Sequence, residues 1–201
     1  MLSRLLLLGT CLAALSAPIA AGAQPRPAKG VWSQSTDGKG RTLIYQSEAE
    51  ILGQETRVEA RFYCNPEKTK MTTGAIGFEL EIANPEKIKS FHFDDFEGPD
   101  AVAGKRQLLT AAVARANGTE QRFQASPSGS YSVMESFVFE VSEVFYRTGS
   151  PARKVLEALR TEASSLRVVI VDDQVSTTRI ELTIPMTGRS DAFRWLLADL
   201  K

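Results

Sequence analysis

Phe137-Val138-Phe139-Glu140-Val141, a capped segment opening at Ser150-Pro151, Leu166-Arg167-Val168-Val169-Ile170-Val171 and Arg179-Ile180-Glu181-Leu182-Thr183-Ile184 follow one another between Tyr131 and Pro185. Their reading decides the fold class. The first is β-rich. In the second, Ser150 can accept a hydrogen bond from the first helical turn, and Pro151 suits the first helical position. Ala152, Val155, Leu156, Leu159 and Ala163 then make one apolar stripe, with Arg153, Glu157 and Arg160 expected to face water. Leu166 to Val171 is apolar on both faces apart from Arg167, the pattern of a central strand covered by a helix on one side and a sheet on the other. Asp172-Asp173 ends it, and Ile180, Leu182 and Ile184 supply a one-faced partner strand.

The chain before this stretch repeats the strand signal. Val31 to Thr36 and Arg41 to Gln46 flank Asp37-Gly38-Lys39-Gly40, whose Asp-Gly pair tolerates the positive φ of a tight hairpin turn; a second turn is expected near Gly53-Gln54. Thr56 to Cys64 alternates apolar residues with Glu59, Arg61 and Tyr63, and Ile76, Phe78, Leu80 and Ile82 alternate with Gly77, Glu79 and Glu81. Between them, Asn65-Pro66 predicts a loop running through Thr72-Thr73-Gly74, because proline lacks the donor a sheet interior needs; Asn84-Pro85 ends the next strand. Ile88 to Phe96 is aromatic-rich and reads as β, stopped by Gly98-Pro99. Gln107 to Arg115 and Glu120 to Ala125 flank Asn117-Gly118, a two-residue hairpin signal that outweighs the glycosylation pattern of Asn117-Gly118-Thr119. Ser126 to Ser130 reads as a polar loop.

From Ser190 the period becomes helical, with Ala192, Phe193, Leu196, Leu197 and Leu200 on one face and Trp195 on another. That stripe predicts a docked terminal helix. The elements sum to a mainly β protein, an antiparallel β-sandwich of about eight or nine strands with two amphipathic helices packed on it, in one domain spanning 31–201.

Met1 to Ala23 reads as a secretory signal peptide: Arg4 is the positive region, Leu5 to Leu15 the apolar core, and Ala21-Gly22-Ala23 an A-x-A site with cleavage before Gln24. The apolar run is about half of the roughly 20 residues a membrane span needs. A lipid anchor on Cys11 fits less well, because only Leu5 to Leu8 would precede it and Thr10 is bulky for such a site. Gln24 to Gly30 reads as an extended tether, and the location implied is periplasmic or secreted. One of the 24 basic residues, Arg4, leaves with the leader, so the remainder balances 24 acidic residues to within a single charge. Such neutrality argues against a nucleic-acid face and against a polybasic membrane patch. Of two cysteines only Cys64 remains, so no internal disulfide can form; its place in the alternation Val58, Ala60, Phe62, Cys64 puts it in the core.

The sequence has one histidine and no H-E-x-x-H, CxxC, G-x-S-x-G, S-x-x-K, P-loop or dinucleotide-type glycine run, so no catalytic residue, metal site or cofactor is assigned from motifs. Ser90, His92 and Asp94 would share one strand face, but about 6.5 Å between such neighbours is too far for a hydrogen-bonded triad. Asp94, Asp95, Glu97 and Asp100, interleaved with Phe91, Phe93 and Phe96, make the densest acidic stretch. It lacks the residue order of a calcium loop. The plain reading is a solvated loop; the functional reading is a partner-binding surface, with Asp94, Asp95, Glu97, Asp100 and Phe96 as candidate contacts, ahead of a cation site.

The C-terminal quarter carries a resemblance. The helix from Arg153, then Leu166 to Asp172, Ile180 to Pro185, Thr187-Gly188 and Ala192-Phe193 with Leu196 resemble the end of invasion-associated locus B type periplasmic proteins. The likeness covers Arg153 to Leu197 and implies a small envelope β-sandwich implicated in host interaction, with no catalytic residue to carry over. Those proteins typically have paired cysteines, which this chain lacks. The function expected is therefore a non-catalytic periplasmic or secreted binding module with a protein partner. The alternative is an envelope hydrolase in which Asp94, Glu97, Asp172 and Asp173 converge in a pocket.

Overall fold

The computed structural model describes residues 30–37, 40–68, 73–98, 100–133, 135–144 and 149–200. The leader Met1 to Ala23, the tether up to Lys29, the turn residues Gly38-Lys39, Thr72 and Pro99 lie outside them. Ten strands and two helices are present among the described residues: β1 Val31–Asp37, β2 Gly40–Ile51, β3 Gln54–Lys68, β4 Thr73–Ala83, β5 Leu109–Ala114, β6 Glu120–Ala125, β7 Ser128–Ser132, β8 Ser136–Val144, α1 Pro151–Leu159, β9 Ser165–Val171, β10 Arg179–Pro185 and α2 Ser190–Leu196. They form a β-sandwich with helices. One sheet runs β1-β2-β3-β4-β8-β7 and the other β10-β9-β5-β6, and every pairing between neighbouring strands is antiparallel.

The alternation that marks each strand in the sequence sorts its residues between the two faces. Phe62, Phe78 and Val141 lie in one cross-strand row, and Ala60, Leu80 and Phe139 in the next, all buried between the sheets. The opposite face carries Glu59, Arg61, Glu79 and Glu81, tied by Arg61 to Glu59 at 2.7 Å and to Glu79 at 2.8 Å. Cys64 is buried, and burial pushes its thiol up to about 11, which leaves it an unreactive core residue at neutral pH.

The two ends of the sandwich are closed differently. At one end, α1 packs on β4, β5, β6 and β8, and α2 packs on β2 and α1. Ser150 caps α1 by accepting from the Arg153 amide at 3.2 Å, and Ala152, Val155, Leu156 and Leu159 face inward. Arg153 departs from expectation: its side chain is largely buried, with Nε donating to Glu157 at 2.9 Å. In α2, Phe193 meets Phe62 edge-to-face at 5.2 Å, while Trp195 is half-buried beneath the Arg41 guanidinium. At the other end, 84–98 and 100–106 carry three short 3-10 turns, the second and third of them packed against β7.

Five local expectations are corrected. β3 continues through Pro66 to Lys68, because the proline sits where the register with β4 slips between Asn65 and Lys68 and no ladder donor is lost. The turn before β3 is Leu52-Gly53, both with positive φ, one residue earlier than the expected Gly53-Gln54. The Asn117-Gly118 hairpin has a three-residue tip, with Arg115 N donating to Thr119 O at 2.9 Å and Gly118 at φ 82°. Ser128 to Ser130, expected as loop, belongs to β7, an edge strand of serines, glycine and tyrosine whose weak β propensity hides it. β9 is central but alternating, with Arg167, Val169 and Val171 half-buried, since among the described residues neither helix packs extensively on it.

Gly129 in β7 is required by packing. A Cβ there would stand 2.5 Å from Phe137 Cζ and 2.9 Å from Phe96 Cβ. Gly129→Ala is expected to cost about 1–3 kcal/mol by overpacking. A lowered thermal midpoint checks this; an unchanged one contradicts the tight contact.

Candidate functional site

Segment 84–97 is built by its prolines and phenylalanines. Asn84, at φ 50° and ψ 53°, ends β4 in a left-handed conformation, and Pro85 opens a 3-10 turn. Ile88 to Phe96, expected as a strand, instead runs irregularly into a second 3-10 turn at Phe93–Phe96. The reason lies in the aromatic spacing. Phe91, Phe93 and Phe96 do not keep a period of two, and all three turn inward, where Phe91 and Phe96 stack at 5.7 Å, Phe93 meets Phe137 at 5.1 Å and Phe96 meets Phe139 edge-on at 5.2 Å. Three rings buried from one short segment leave His92, Asp94 and Asp95 outside, and the His92 amide takes a partner from another part of the chain.

That partner is Asp172, at the end of β9. Its side chain is fully buried, yet it accepts from the amides of His92 at 2.7 Å, Gln174 at 2.9 Å and Val175 at 2.8 Å, and its two oxygens each lie 3.1 Å from His92 Nδ1. Burial alone would raise its pKa. The amides of His92 and Val175, then the imidazole and the Gln174 amide, outweigh burial and hold the carboxyl below the usual aspartate range. A carboxylate only accepts, so in this pairing Nδ1 is the donor and Nε2 is the ring nitrogen turned away from Asp172. The imidazole is 41% exposed.

His92 lines a groove of about 660 Å³ at this end of the sandwich. Ile88, Phe91 and Phe93 form its apolar floor, and Glu86, Lys89, Asp94, Asp95, Tyr131, Glu135 and Gln174 surround it. Two further polar pairs fix the wall. Tyr131 Oη donates to Asp94 Oδ1 at 2.6 Å, and Gln174 Nε2 donates to Asp95 Oδ2 at 2.8 Å. Partial burial and then the Asp94 carboxylate push the Tyr131 hydroxyl up to about 12, so it remains a donor throughout the physiological range. Its ring is 46% exposed and stands edge-on to Phe137 at 4.9 Å.

Only part of the expected contact set is brought together. Asp94 and Asp95 line the groove. Phe96 does not reach the surface: it is fully buried among Phe91, Phe139 and the Gly129 backbone. Glu97 leaves the groove to bridge with Gly129, and Asp100, exposed further along, does not line it either. The four carboxylates of the hydrolase alternative separate too, because Asp173 pairs with Arg106, Glu97 sits at the β7 edge and Asp172 is sealed beneath His92. Ser90, His92 and Asp94 form no triad; the histidine's partner lies 80 residues onward. Among the described residues no group of three His, Cys, Asp or Glu is placed to hold a metal ion, and no helix is long and apolar enough to cross a membrane.

His92, Tyr131 and Gln174 are among the groove residues that sequence reasoning did not assign, and Asp172 is the support it did not pair. Two signals were available: a lone histidine in an aromatic and acidic stretch, and an aspartate closing the most apolar strand. In comparisons with protein-family models, curated proteins and solved structures, nothing matches this chain.

Proposed function

We propose that this protein is a binding module, exported to the periplasm or beyond, whose ligand occupies the groove over Phe91 and Phe93. The observation that supports this best is the groove itself: an apolar floor anchored in the core and a polar wall held by three hydrogen-bonded pairs from three separate parts of the chain. Such a surface is fixed before a ligand arrives, which lowers the ordering cost of binding. The leader-like Met1 to Ala23 and the likeness of Arg153 to Leu197 to envelope β-sandwich proteins support the location.

The test is affinity capture from envelope extract. Asp94→Asn with Asp95→Asn is expected to reduce capture of the principal partner several-fold and make its association less sensitive to salt. Glu97→Gln with Asp100→Asn, outside the groove, is expected to change neither. Equal capture by both pairs of variants and the parent chain sinks the proposal. A catalytic reading draws on the oriented imidazole of His92, and its mark would be hydrolysis of an activated ester that His92→Ala removes.

A further inference from the structure

From the hydrogen-bond pattern of this groove we infer the class of ligand, an arginine side chain presented by a partner polypeptide; the inference rests on the groove being the binding site. The tyrosine, glutamine and imidazole donors of the wall are already turned to carboxylates. Tyr131 Oη occupies one oxygen of Asp94, Gln174 Nε2 occupies one oxygen of Asp95, and His92 Nδ1 is turned to Asp172. What remains is a set of acceptors. Asp94 Oδ2 and Asp95 Oδ1 have no hydrogen-bond partner among the described residues. A ligand that satisfies them must bring donors.

Charge narrows the class further. Among the described residues, Glu86, Asp94, Asp95 and Glu135 line the groove with Lys89 as the one lysine or arginine, so a cation is favoured there and a carboxylate or phosphate is repelled. Between cations, the aromatic surroundings favour guanidinium over ammonium. A planar guanidinium can rest its face on the exposed Tyr131 ring while its fork of donors reaches carboxylate oxygens, and its three-carbon stem suits an apolar floor. The groove is partly open and its rim residues Glu86 and Lys89 are exposed, which fits a side chain entering from a larger partner better than an enclosed small molecule.

The experiment uses three capped tripeptides that differ only in the central residue: arginine, its neutral isostere citrulline, and lysine. Binding to the isotope-labelled protein is followed by amide chemical shifts. The arginine peptide is expected to shift Phe91 to Asp95, Tyr131 and Gln174, and to bind at least about tenfold more tightly than the citrulline peptide, as charge-assisted bonds require. Lysine should fall between. Asp94→Asn with Asp95→Asn should erase the difference between arginine and citrulline, with an unchanged thermal midpoint showing that the fold is intact. If citrulline binds this groove as well as arginine, the cation assignment is overturned while the groove stands as a site. If no peptide shifts these residues, the arginine assignment is overturned and the capture comparison alone judges the groove.

Discussion

Ending the chain after Thr187 is expected to abolish cooperative folding at physiological temperature. The truncation removes α2 and with it Phe193, Leu196 and Leu197, all buried, and the cover they give to Trp32 and Phe62. Three side chains of this size contribute roughly 1.5–3 kcal/mol each by burial. Their loss takes about 5–9 kcal/mol from a domain whose whole stability is of the order of 5–15 kcal/mol. A milder form isolates the cause. Phe193→Ala should cost about 3–5 kcal/mol and lower the thermal midpoint by roughly 10 °C or more, since each kcal/mol moves a domain of this size by about 2–4 °C. A truncated chain that melts with the parent would show that α2 rides on the surface instead of closing the sandwich.

The second large effect belongs to Asp172. Asparagine keeps its shape but offers one acceptor oxygen where the site presents three amides and an imidazole, and it turns a donor toward donors. Asp172→Asn is expected to cost about 2–4 kcal/mol, the upper range for a buried charged acceptor, and to release His92 from the groove wall. Acid should reveal the same bond. The folded-state pKa of Asp172 is depressed, so its contribution is complete above the unfolded value of about 3.9 and is lost as pH falls through the lower folded value. The parent chain should therefore lose stability more steeply than the variant below about pH 4. Glu79 works in the opposite direction: burial raises its pKa despite Arg61, so the stabilisation linked to its protonation is present in acid and lost as pH rises through that raised value. Both chains carry Glu79, so it cancels in the comparison. Denaturant melts of the two proteins across the acid range decide the point; parallel curves would mean Asp172 contributes no charge-dependent bond.

The sandwich was legible because its signals are local. Ile76, Phe78, Leu80 and Ile82, or Ile180, Leu182 and Ile184, state a strand and its inward face within a few residues, and Ser150-Pro151 states a helix start. The groove was only half legible. Asp94 and Asp95 stand out as charge, but Phe96 beside them serves the core, and a run of aromatic and acidic residues has the same composition whether its rings face in or out. His92 and Asp172 meet because β4 and β9, in different sheets, finish at the same end of the sandwich, and no spacing along the chain encodes that meeting. β7 was hidden for a similar reason: Ser128-Gly129-Ser130 is a strand only because Phe137 and Phe139 in β8 give it a register. Ten strands stand where about eight or nine were expected.

The most direct measurement is amide hydrogen exchange on the full chain, alone and saturated with the partner recovered from envelope extract. New protection is expected at Ile88 to Asp95, around Tyr131 and at Gln174-Val175, the segments that build the groove, with the outer face of β2, β3 and β4 unchanged. Protection confined to β1 or to that outer face, with the groove exchanging as in the free protein, would contradict the assignment of the binding site.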